Sequence, residues 1–281
     1  MLSEQDLFLL KEKANQIRIL TLEAIGYLGV GHVGGCMSLV EVLTLLYYRH
    51  MQVDPQDPRK RDRDQLVLSK GHAGPTLYSI LADKGFFPGE WLHTLNKGGT
   101  RLPSHCDRNL TPGIDMTTGS LGQGLSAAIG IALGNRLDGI NSTVYAIIGD
   151  GESNEGQVWE AAQAAAQFKL NHLIVFTDSN RLQLDGFMNE VMNIEDLVAK
   201  WHSFGWFTQR VDGHDFKQMD EAVILAKGQE AKPSMIILDT IKGKGVAFAE
   251  NQPANHNMKL DYATAQQVIS MLQSGIGEEH E

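Results

Sequence analysis

Short apolar runs alternate with longer segments of helical periodicity along most of the chain. The runs are rich in Val, Ile and Leu, as in strands that are buried on both faces of a parallel sheet. The predicted strands are 65–68, 143–148, 172–177, 206–211 and 234–239. This alternation predicts an α/β fold, a parallel sheet flanked by helices on both faces. No repeat or linker interrupts the pattern, so residues 1–281 are predicted to form a single domain.

Helices are predicted where apolar residues recur every three or four positions. Ser3 is expected to cap a first helix that ends near Leu28. Ser38 and Glu41 form a capping box, which predicts a second helix that ends near Tyr48. Further helices are predicted at 72–84, 91–95, 121–138, 157–168, 195–204, 216–228 and 262–272, with a long loop at 97–118.

Composition excludes several classes of function. The 281 residues include 24 Lys and Arg against 34 Asp and Glu, a net charge of −10, which argues against nucleic acid and anionic membranes as partners. Two cysteines, Cys36 and Cys106, are too few for a disulfide framework and lack metal-ligand spacing. Without a signal peptide or a membrane-spanning run, the chain is expected to be cytoplasmic, with residues 277–281 as a solvated tail.

Glycine-rich and polar loops follow the predicted strands, at the edge where ligands bind in open parallel sheets. They are 69–72, 149–156, 178–186, 212–215 and 240–245. The most informative is Gly149-Asp150-Gly151, because the next strand ends close to Asn180. If the two strands are neighbours, Asp150 and Asn180 emerge side by side. Oxygen ligands of this kind suit Mg²⁺ whose shell is completed by a diphosphate.

The Gly-Asp-Gly turn has other interpretations. The tripeptide alone is equally compatible with a turn in which glycine supplies positive φ and aspartate caps a helix. A calcium loop that starts at Asp150 is excluded, because its sixth position is Glu155 rather than glycine and its twelfth is Ala161 rather than glutamate. The segment Gly119 to Gly124 lacks the lysine of a P-loop and the spacing of a dinucleotide fingerprint.

Five motifs lie along the chain in this order: Gly31-His32, Leu68 to Ala73, Thr117 to Gly124, Gly149-Asp150-Gly151 with Glu155-Gly156 and Asn180, and Lys242 to Val246 followed by His256. Together, in their order and spacing, they resemble the N-terminal, diphosphate-binding half of transketolase, a thiamine diphosphate enzyme. The likeness spans nearly the whole chain. It implies the thiamine diphosphate-binding fold and transfer of a two-carbon ketol unit from a ketose to an aldose.

The resemblance assigns roles to individual residues. It implies that Mg²⁺, or Ca²⁺ or Mn²⁺ in its place, is held by Asp150, Asn180 and the main-chain carbonyl of Leu182. The implied cofactor contacts are His72, Gly119, Ser120, Leu121, Gly151, Asn180 and His256, and Glu155 resembles a residue that helps to link cofactor sites across a dimer.

Four histidines match those of the family's substrate channel: His32, His72, His105 and His256. A lone histidine is more simply interpreted as a packing residue, but the match in four separate motifs favours the channel. His32, His105 and His256 are therefore predicted to be catalytic, handling sugar hydroxyls and protons. The remaining histidines match nothing in the family and are assigned to packing.

The substrate-facing motifs depart from the family's usual forms at Val33, Cys106 and Asn257. The cofactor and metal segments are intact, so the sugar is left open while thiamine diphosphate is predicted. Candidates for binding an anionic end of the substrate are Lys70, Arg101, Arg108 and Lys244, which are equally compatible with solvated loop charges.

Transketolases continue into a pyrimidine-binding domain whose glutamate activates the cofactor, and this sequence stops before it. The resemblance therefore predicts a separately encoded C-terminal pyrimidine-binding subunit, with two copies of each chain in a heterotetramer. Two alternatives stay open. One is a half-subunit of another thiamine diphosphate enzyme, a 2-oxo acid decarboxylase or a ketol-transferring synthase. The other is a non-catalytic subunit that only binds a partner, against which the intact metal residues argue.

Overall fold

A computed structural model describes residues 2–194 and 196–274. Its strands are β1 (Gly29–Gly31), β2 (Gln65–Leu68), β3 (Val144–Gly149), β4 (Leu173–Ser179), β5 (Phe207–Asp212), β6 (Ser234–Asp239) and β7 (Met258–Leu260). Strands β2 to β6 form one parallel sheet in the order β2-β3-β4-β6-β5. The five predicted strands and their parallel arrangement are confirmed.

Helices cover both faces of this sheet. They are α1 (Glu4–Leu28), α2 (Val33–Met37), α3 (Val40–Leu45), α4 (Gly74–Asp83), α5 (Gln123–Leu137), α6 (Gly156–Gln167), α7 (Met188–Val191), α8 (Leu197–Ser203), α9 (Phe216–Lys227) and α10 (Tyr262–Gln273). Short 3₁₀ turns lie at Gly71–Ala73, Gly89–Thr94, Gly151–Asn154 and Pro253–Asn255, and a π-helical turn, Leu46–His50, follows α3.

Alternate residues of the strands enter two separate apolar cores, one on each face of the sheet. In β3, Tyr145 and Ile147 belong to the core that includes α1, α3, α4, α9 and α10. Their neighbours Ala146 and Ile148 belong to the core built with α5, α6 and α8. Because both faces of the central strands are covered, the strands read as continuous apolar runs in the sequence. The α/β architecture with helices on both faces is confirmed.

The predicted capping box at Ser38 and Glu41 is wrong. The Ser38 hydroxyl donates to the Asp178 carboxylate at 2.7 Å, and Glu41 forms an ion pair with Arg18. Charge-assisted bonds of this kind are stronger than a cap to a neutral amide. Instead of one helix to Tyr48, α2 ends at Met37, α3 begins at Val40, and the last residues form the π-helical turn.

A two-stranded antiparallel sheet, β1 with β7, is absent from the prediction. The segment Gly29 to Gly31, for which no strand is predicted, pairs with Met258 to Leu260, with Gly31 opposite Met258. This pairing has a consequence for the site, because His32 directly follows β1 and His256 closely precedes β7.

Two predictions fall on undescribed residues. The helix start at Glu195 and the tail at 277–281 lie outside the part of the chain that the structure describes; α8 begins at Leu197, with Asp196 as its cap. Within the described ranges, no helix combines the length and apolarity needed to cross a membrane.

Candidate active site

The four histidines of the matching motifs lie together. His72 is in the 3₁₀ turn after β2, His105 is in the long loop between α4 and α5, and His32 and His256 flank the β1-β7 pair. The His32 ring centroid lies 5.2 Å from that of His72, 5.8 Å from that of His105 and 5.4 Å from that of His256. The His72 centroid lies 6.5 Å from that of His105 and 5.1 Å from that of His256. Segments distant in sequence therefore form one imidazole cluster.

Burial keeps these imidazoles neutral. It lowers the pKa of His32 to about 4, with smaller contributions from His105, Lys242 and Lys70. Burial followed by the Lys242 charge lowers the pKa of His256 to about 4 as well. Burial also lowers the pKa of His105, and that of His72 falls well below its usual value. Near neutral pH each ring can therefore both donate and accept a hydrogen bond.

The turn Gly149-Asp150-Gly151, here called the metal turn because the sequence predicts a metal ligand in it, lies beside the end of β4, as predicted for neighbouring strands. Gly149 of β3 pairs with Asp178 of β4. The Asp150 carboxylate accepts hydrogen bonds from the backbone N–H of Gly151 at 2.8 Å and from that of Arg181 at 2.6 Å. Asp150 therefore contacts the segment that contains Asn180, the second predicted ligand.

The electrostatics of the turn favour a cation. Burial and then the nearby charge of Asp178 raise the pKa of Asp150 to about 7. A bound cation would offset both effects by stabilising the ionised carboxylate. In the described part of the chain, no group of three or more His, Cys, Asp or Glu side chains could hold a metal, and the predicted ligand set contains only one such side chain.

The other two predicted ligands lie in the loop after β4. The Asn180 side-chain oxygen accepts a hydrogen bond from the Leu182 N–H at 3.1 Å. The Leu182 carbonyl, the predicted main-chain ligand, accepts a hydrogen bond from Lys242 Nζ at 3.2 Å. Asp150, Asn180 and Leu182 are thus placed within one turn and one adjoining loop.

Asp178, which sequence reasoning missed, joins four segments around this turn. It is fully buried and accepts hydrogen bonds from Ser38 Oγ at 2.7 Å, from Asn180 Nδ2 at 3.1 Å, and from Lys70 Nζ and Thr240 Oγ1. Burial opposes its ionisation, but the Lys70 ammonium and these hydrogen bonds hold the pKa of Asp178 below its usual value. Lys70 is buried in this ion pair, so its interpretation as a solvated loop charge is wrong.

Lys242 is a second buried lysine, and it connects the histidines with the loop after β4 that contains the predicted ligands Asn180 and Leu182, here called the metal loop. Only 2% of it is exposed, and its Nζ lies 3.4 Å from His256 Nδ1 as well as 3.2 Å from the Leu182 carbonyl oxygen. Burial, followed by the charge of Lys70, lowers the pKa of Lys242 to about 8. Among the described residues no carboxylate lies within 4.0 Å of this ammonium group. The charges of Asp178 and Asp150 favour the ionised lysine but do not offset its burial, so an anion bound beside it would stabilise its charge.

The segment predicted to contact the cofactor rings, 119–121, borders the cluster. Gly119 has φ of 145°, and a Cβ there would lie 2.9 Å from Cδ2 of His105, so a larger residue would displace the imidazole. Ser120 and Leu121 are exposed. At Gly151 a Cβ would lie 2.9 Å from the Gln183 Cβ, and Glu155 is exposed beside Gly122.

Arg101 and Arg108 belong to a cleft to which none of the four histidines contributes. They line a cleft of about 840 Å³ together with Gln65, the first residue of β2, and Asn135 near the end of α5. This cleft is therefore at the amino edge of the sheet, opposite the cluster. Lys244 is half-buried, and its carbonyl accepts a hydrogen bond from Arg18 Nε at 3.1 Å.

Comparisons with known proteins identify the family of the chain. The family described as "Transketolase, thiamine diphosphate binding domain" matches residues 10–275. The chain is 58% identical to the 6-deoxy-6-sulfo-D-fructose transketolase subunit SqwG of Clostridium sp. (strain MSTE9), over 92% of this chain and 94% of that protein. It is 38% identical to an apulose-4-phosphate transketolase subunit of Actinobacillus succinogenes, over 88% of this chain and 89% of that protein.

A solved structure shows the same architecture. The transketolase from Leishmania mexicana superposes with a TM-score of 0.87 at 30% identity, over 93% of this chain and 41% of that chain. The present chain therefore spans less than half of that longer transketolase, whereas it matches nearly the whole length of the two subunits.

Proposed function

Because the chain belongs to the transketolase family, whose thiamine diphosphate-binding domain matches residues 10–275, we propose that it is the N-terminal subunit of a split transketolase. It is a transketolase-type transferase. The proposed reaction is the thiamine diphosphate- and Mg²⁺-dependent transfer of a two-carbon ketol unit from a ketose to an aldose. The observation that carries the proposal is the position of Lys242, which contacts both the Leu182 carbonyl and His256 and so joins the metal loop to the neutral histidines.

The residues fit thiamine diphosphate and a divalent cation. The Lys242 ammonium lacks a carboxylate partner within 4.0 Å among the described residues, and a diphosphate would supply the missing negative charge. Asp150, with its raised pKa, is a carboxylate that a cation would stabilise. We assign Mg²⁺, or Ca²⁺ or Mn²⁺ in its place, to Asp150, Asn180 and the carbonyl of Leu182. The proposed diphosphate contacts are Lys70, His72, Gly151 and Lys242, and the proposed ring contacts are Gly119, Ser120 and Leu121.

When bound, thiamine diphosphate supplies the nucleophilic carbon needed to break and form a bond next to a ketose carbonyl. The chain's own residues orient the sugar and exchange protons with its hydroxyl groups. Nδ1 of His256 faces Lys242 at 3.4 Å and Nδ1 of His105 lies 3.0 Å from Ser104 Oγ, so we assign the substrate contacts of both rings to Nε2. As neutral imidazoles, these rings and His32 can accept a proton from a sugar hydroxyl without prior deprotonation.

The split arrangement is supported by the extent of the relatives. Two proteins named as transketolase subunits match this chain over about nine tenths of both lengths. Such names imply a separate partner chain. We propose that this partner is the separately encoded C-terminal pyrimidine-binding subunit, with which the chain forms a heterotetramer. Both cysteines are free and buried, which is compatible with the proposed cytoplasmic location.

We propose that the donor is a ketose with an anionic end, and that the first candidate is 6-deoxy-6-sulfo-D-fructose. The support is the relative named for that sugar, at 58% identity. With the partner present, we expect kcat/KM for this donor to exceed that for D-fructose 6-phosphate by at least about tenfold, since a site built for one polar group discriminates against another. The measurement is aldose formation from each donor with a common acceptor.

This assay tests the assignment of the donor sugar independently of the proposed reaction type. An equal or greater kcat/KM for the phosphorylated ketose would contradict the donor assignment and leave ketol transfer intact. Release of CO₂ from 2-oxo acids, without transfer between sugars, would contradict the proposed reaction itself.

A further inference from the structure

Glu152, which follows the metal turn's Asp150 by two residues, is a buried carboxylate that bonds to three separate segments. It is 3% exposed and lies in the 3₁₀ turn Gly151–Asn154. Its Oε1 accepts hydrogen bonds from the Ser69 hydroxyl and from the Gly122 N–H, the latter at 2.9 Å. Its Oε2 accepts one from the Gly149 N–H at 3.0 Å. Both carboxylate oxygens are thus engaged by the chain itself.

The three donors belong to the parts of the site that contact different ends of the proposed cofactor. Ser69 precedes Lys70 at the end of β2, and Gly149 opens the metal turn. Gly122 directly follows the ring-contact segment 119–121 and caps α5. The packing here is tight, because a Cβ at Gly124 would lie 2.4 Å from Ser69 Oγ. Glu152 therefore fixes the ring-contact segment relative to the metal turn.

Filling space alone does not explain a carboxylate at this position. Burial opposes the ionised form of Glu152 and raises its pKa, and the hydrogen bonds from Ser69, Gly122 and Gly149 offset only part of this effect. An apolar side chain would fill the same space without that desolvation cost. What an apolar residue could not provide is an acceptor shared by backbone groups of two loops.

We propose that Glu152 is a positioning residue for the cofactor: it holds the ring-contact segment and the metal turn in the spacing that binds both ends of thiamine diphosphate at once. This inference rests on the proposed function. It predicts that loss of the shared acceptor weakens cofactor binding more than it slows turnover of the loaded enzyme.

The test is the variant Glu152→Gln in the complex of the full chain with its partner subunit. One end of the amide is a donor, so a backbone N–H of Gly149 or Gly122 loses its acceptor. We expect the Kd for thiamine diphosphate at saturating Mg²⁺ to rise about tenfold or more, the equivalent of one lost charge-assisted bond. We expect kcat at saturating cofactor to fall less than about threefold.

Tryptophan fluorescence offers a direct readout of binding, because Trp159 Nε1 donates to the Ser153 carbonyl at 2.8 Å, next to Glu152. Glu160→Gln, an exposed glutamate on α6, is the matched control and is expected to leave the Kd unchanged. Ser69→Ala removes one donor to Glu152 but keeps the carboxylate, and we expect about threefold weaker binding. It tests the same inference if the glutamine variant does not fold.

A lower melting temperature of the variants with an unchanged Kd would overturn the inference, since that pattern describes a residue that only stabilises the fold. If the wild-type complex itself binds no thiamine diphosphate, the proposed function fails and this inference fails with it. Unchanged affinity in the variants of a wild type that does bind overturns the positioning role alone.

Discussion

Replacing Asp150 with alanine is expected to lower the two-carbon transfer activity of the chain, assayed with its partner, by at least about a hundredfold. Residues that merely orient a metal ligand contribute about 10- to 100-fold to metal affinity or activity, and a direct ligand contributes at least as much. Asp150 is the one carboxylate of the proposed ligand set, which otherwise consists of an amide and a carbonyl oxygen. The measurement is activity as a function of Mg²⁺ concentration at saturating thiamine diphosphate.

This variant also distinguishes a metal site from a structural residue. Asp150 is buried beside Asp178 with its pKa raised to about 7, so its removal relieves an unfavourable charge in the metal-free chain. This relief opposes the loss of the hydrogen bonds from the Gly151 and Arg181 N–H groups, so we expect only a small change in the melting temperature of the apo chain. Asp57→Ala, an exposed aspartate at the opposite edge of the sheet, is the control and should retain full activity. Wild-type Mg²⁺ dependence in the Asp150 variant would contradict the metal assignment.

Replacing Lys242 with methionine is expected to have opposite effects on cofactor binding and on apo stability. Truncating one partner of a buried charge pair typically costs about 3–5 kcal/mol, so the Kd for thiamine diphosphate should rise by about two orders of magnitude or more. In the apo chain the ammonium is buried without a carboxylate within 4.0 Å in the described residues, so an apolar side chain of similar length should leave the melting temperature unchanged or higher. Calorimetric titration and thermal melts measure the two effects.

The pH dependence of binding supplies a second readout for Lys242. Its lowered pKa of about 8 means that the free site loses its charge as pH rises through that value. A bound diphosphate favours the charged form, so binding above this pH takes up a proton and weakens as pH increases. The methionine variant should lack this weakening of binding at high pH. A wild-type Kd in the variant, or a lower melting temperature of its apo form, would contradict the role of Lys242 as a diphosphate ligand.

The strands of the sheet were predictable because apolar runs are a local property of the sequence. Apolar runs in Val144–Gly149 and Leu173–Ser179 mark strands covered on both faces, and adjacency of these strands places Asp150 beside Asn180. Prediction of the imidazole cluster depended on the order of four motifs along the chain rather than on any property of a single histidine. Any one of these motifs alone does not distinguish its histidine from an ordinary packing histidine.

The contacts that organise the site could not be predicted, because they join residues far apart in the chain. Ser38 bonds to Asp178 across 140 positions, and Ser69 to Glu152 across 83. Local signals even pointed elsewhere, since Ser38 has the spacing of a helix cap. The pair β1-β7 was missed for a related reason: a Gly-Val-Gly strand of three residues has no periodicity to detect. Burial of Lys70 and Lys242 likewise follows from tertiary packing alone.

The most direct test of the split transketolase is a reconstitution with purified chains. Ketol transfer from 6-deoxy-6-sulfo-D-fructose to an aldose is measured with thiamine diphosphate and Mg²⁺, first for this chain alone and then after addition of the separately encoded pyrimidine-binding subunit. We predict no transfer above background by the chain alone, and activity that appears with the partner and depends on both the cofactor and the metal. Full activity of the purified chain without a partner would contradict this account.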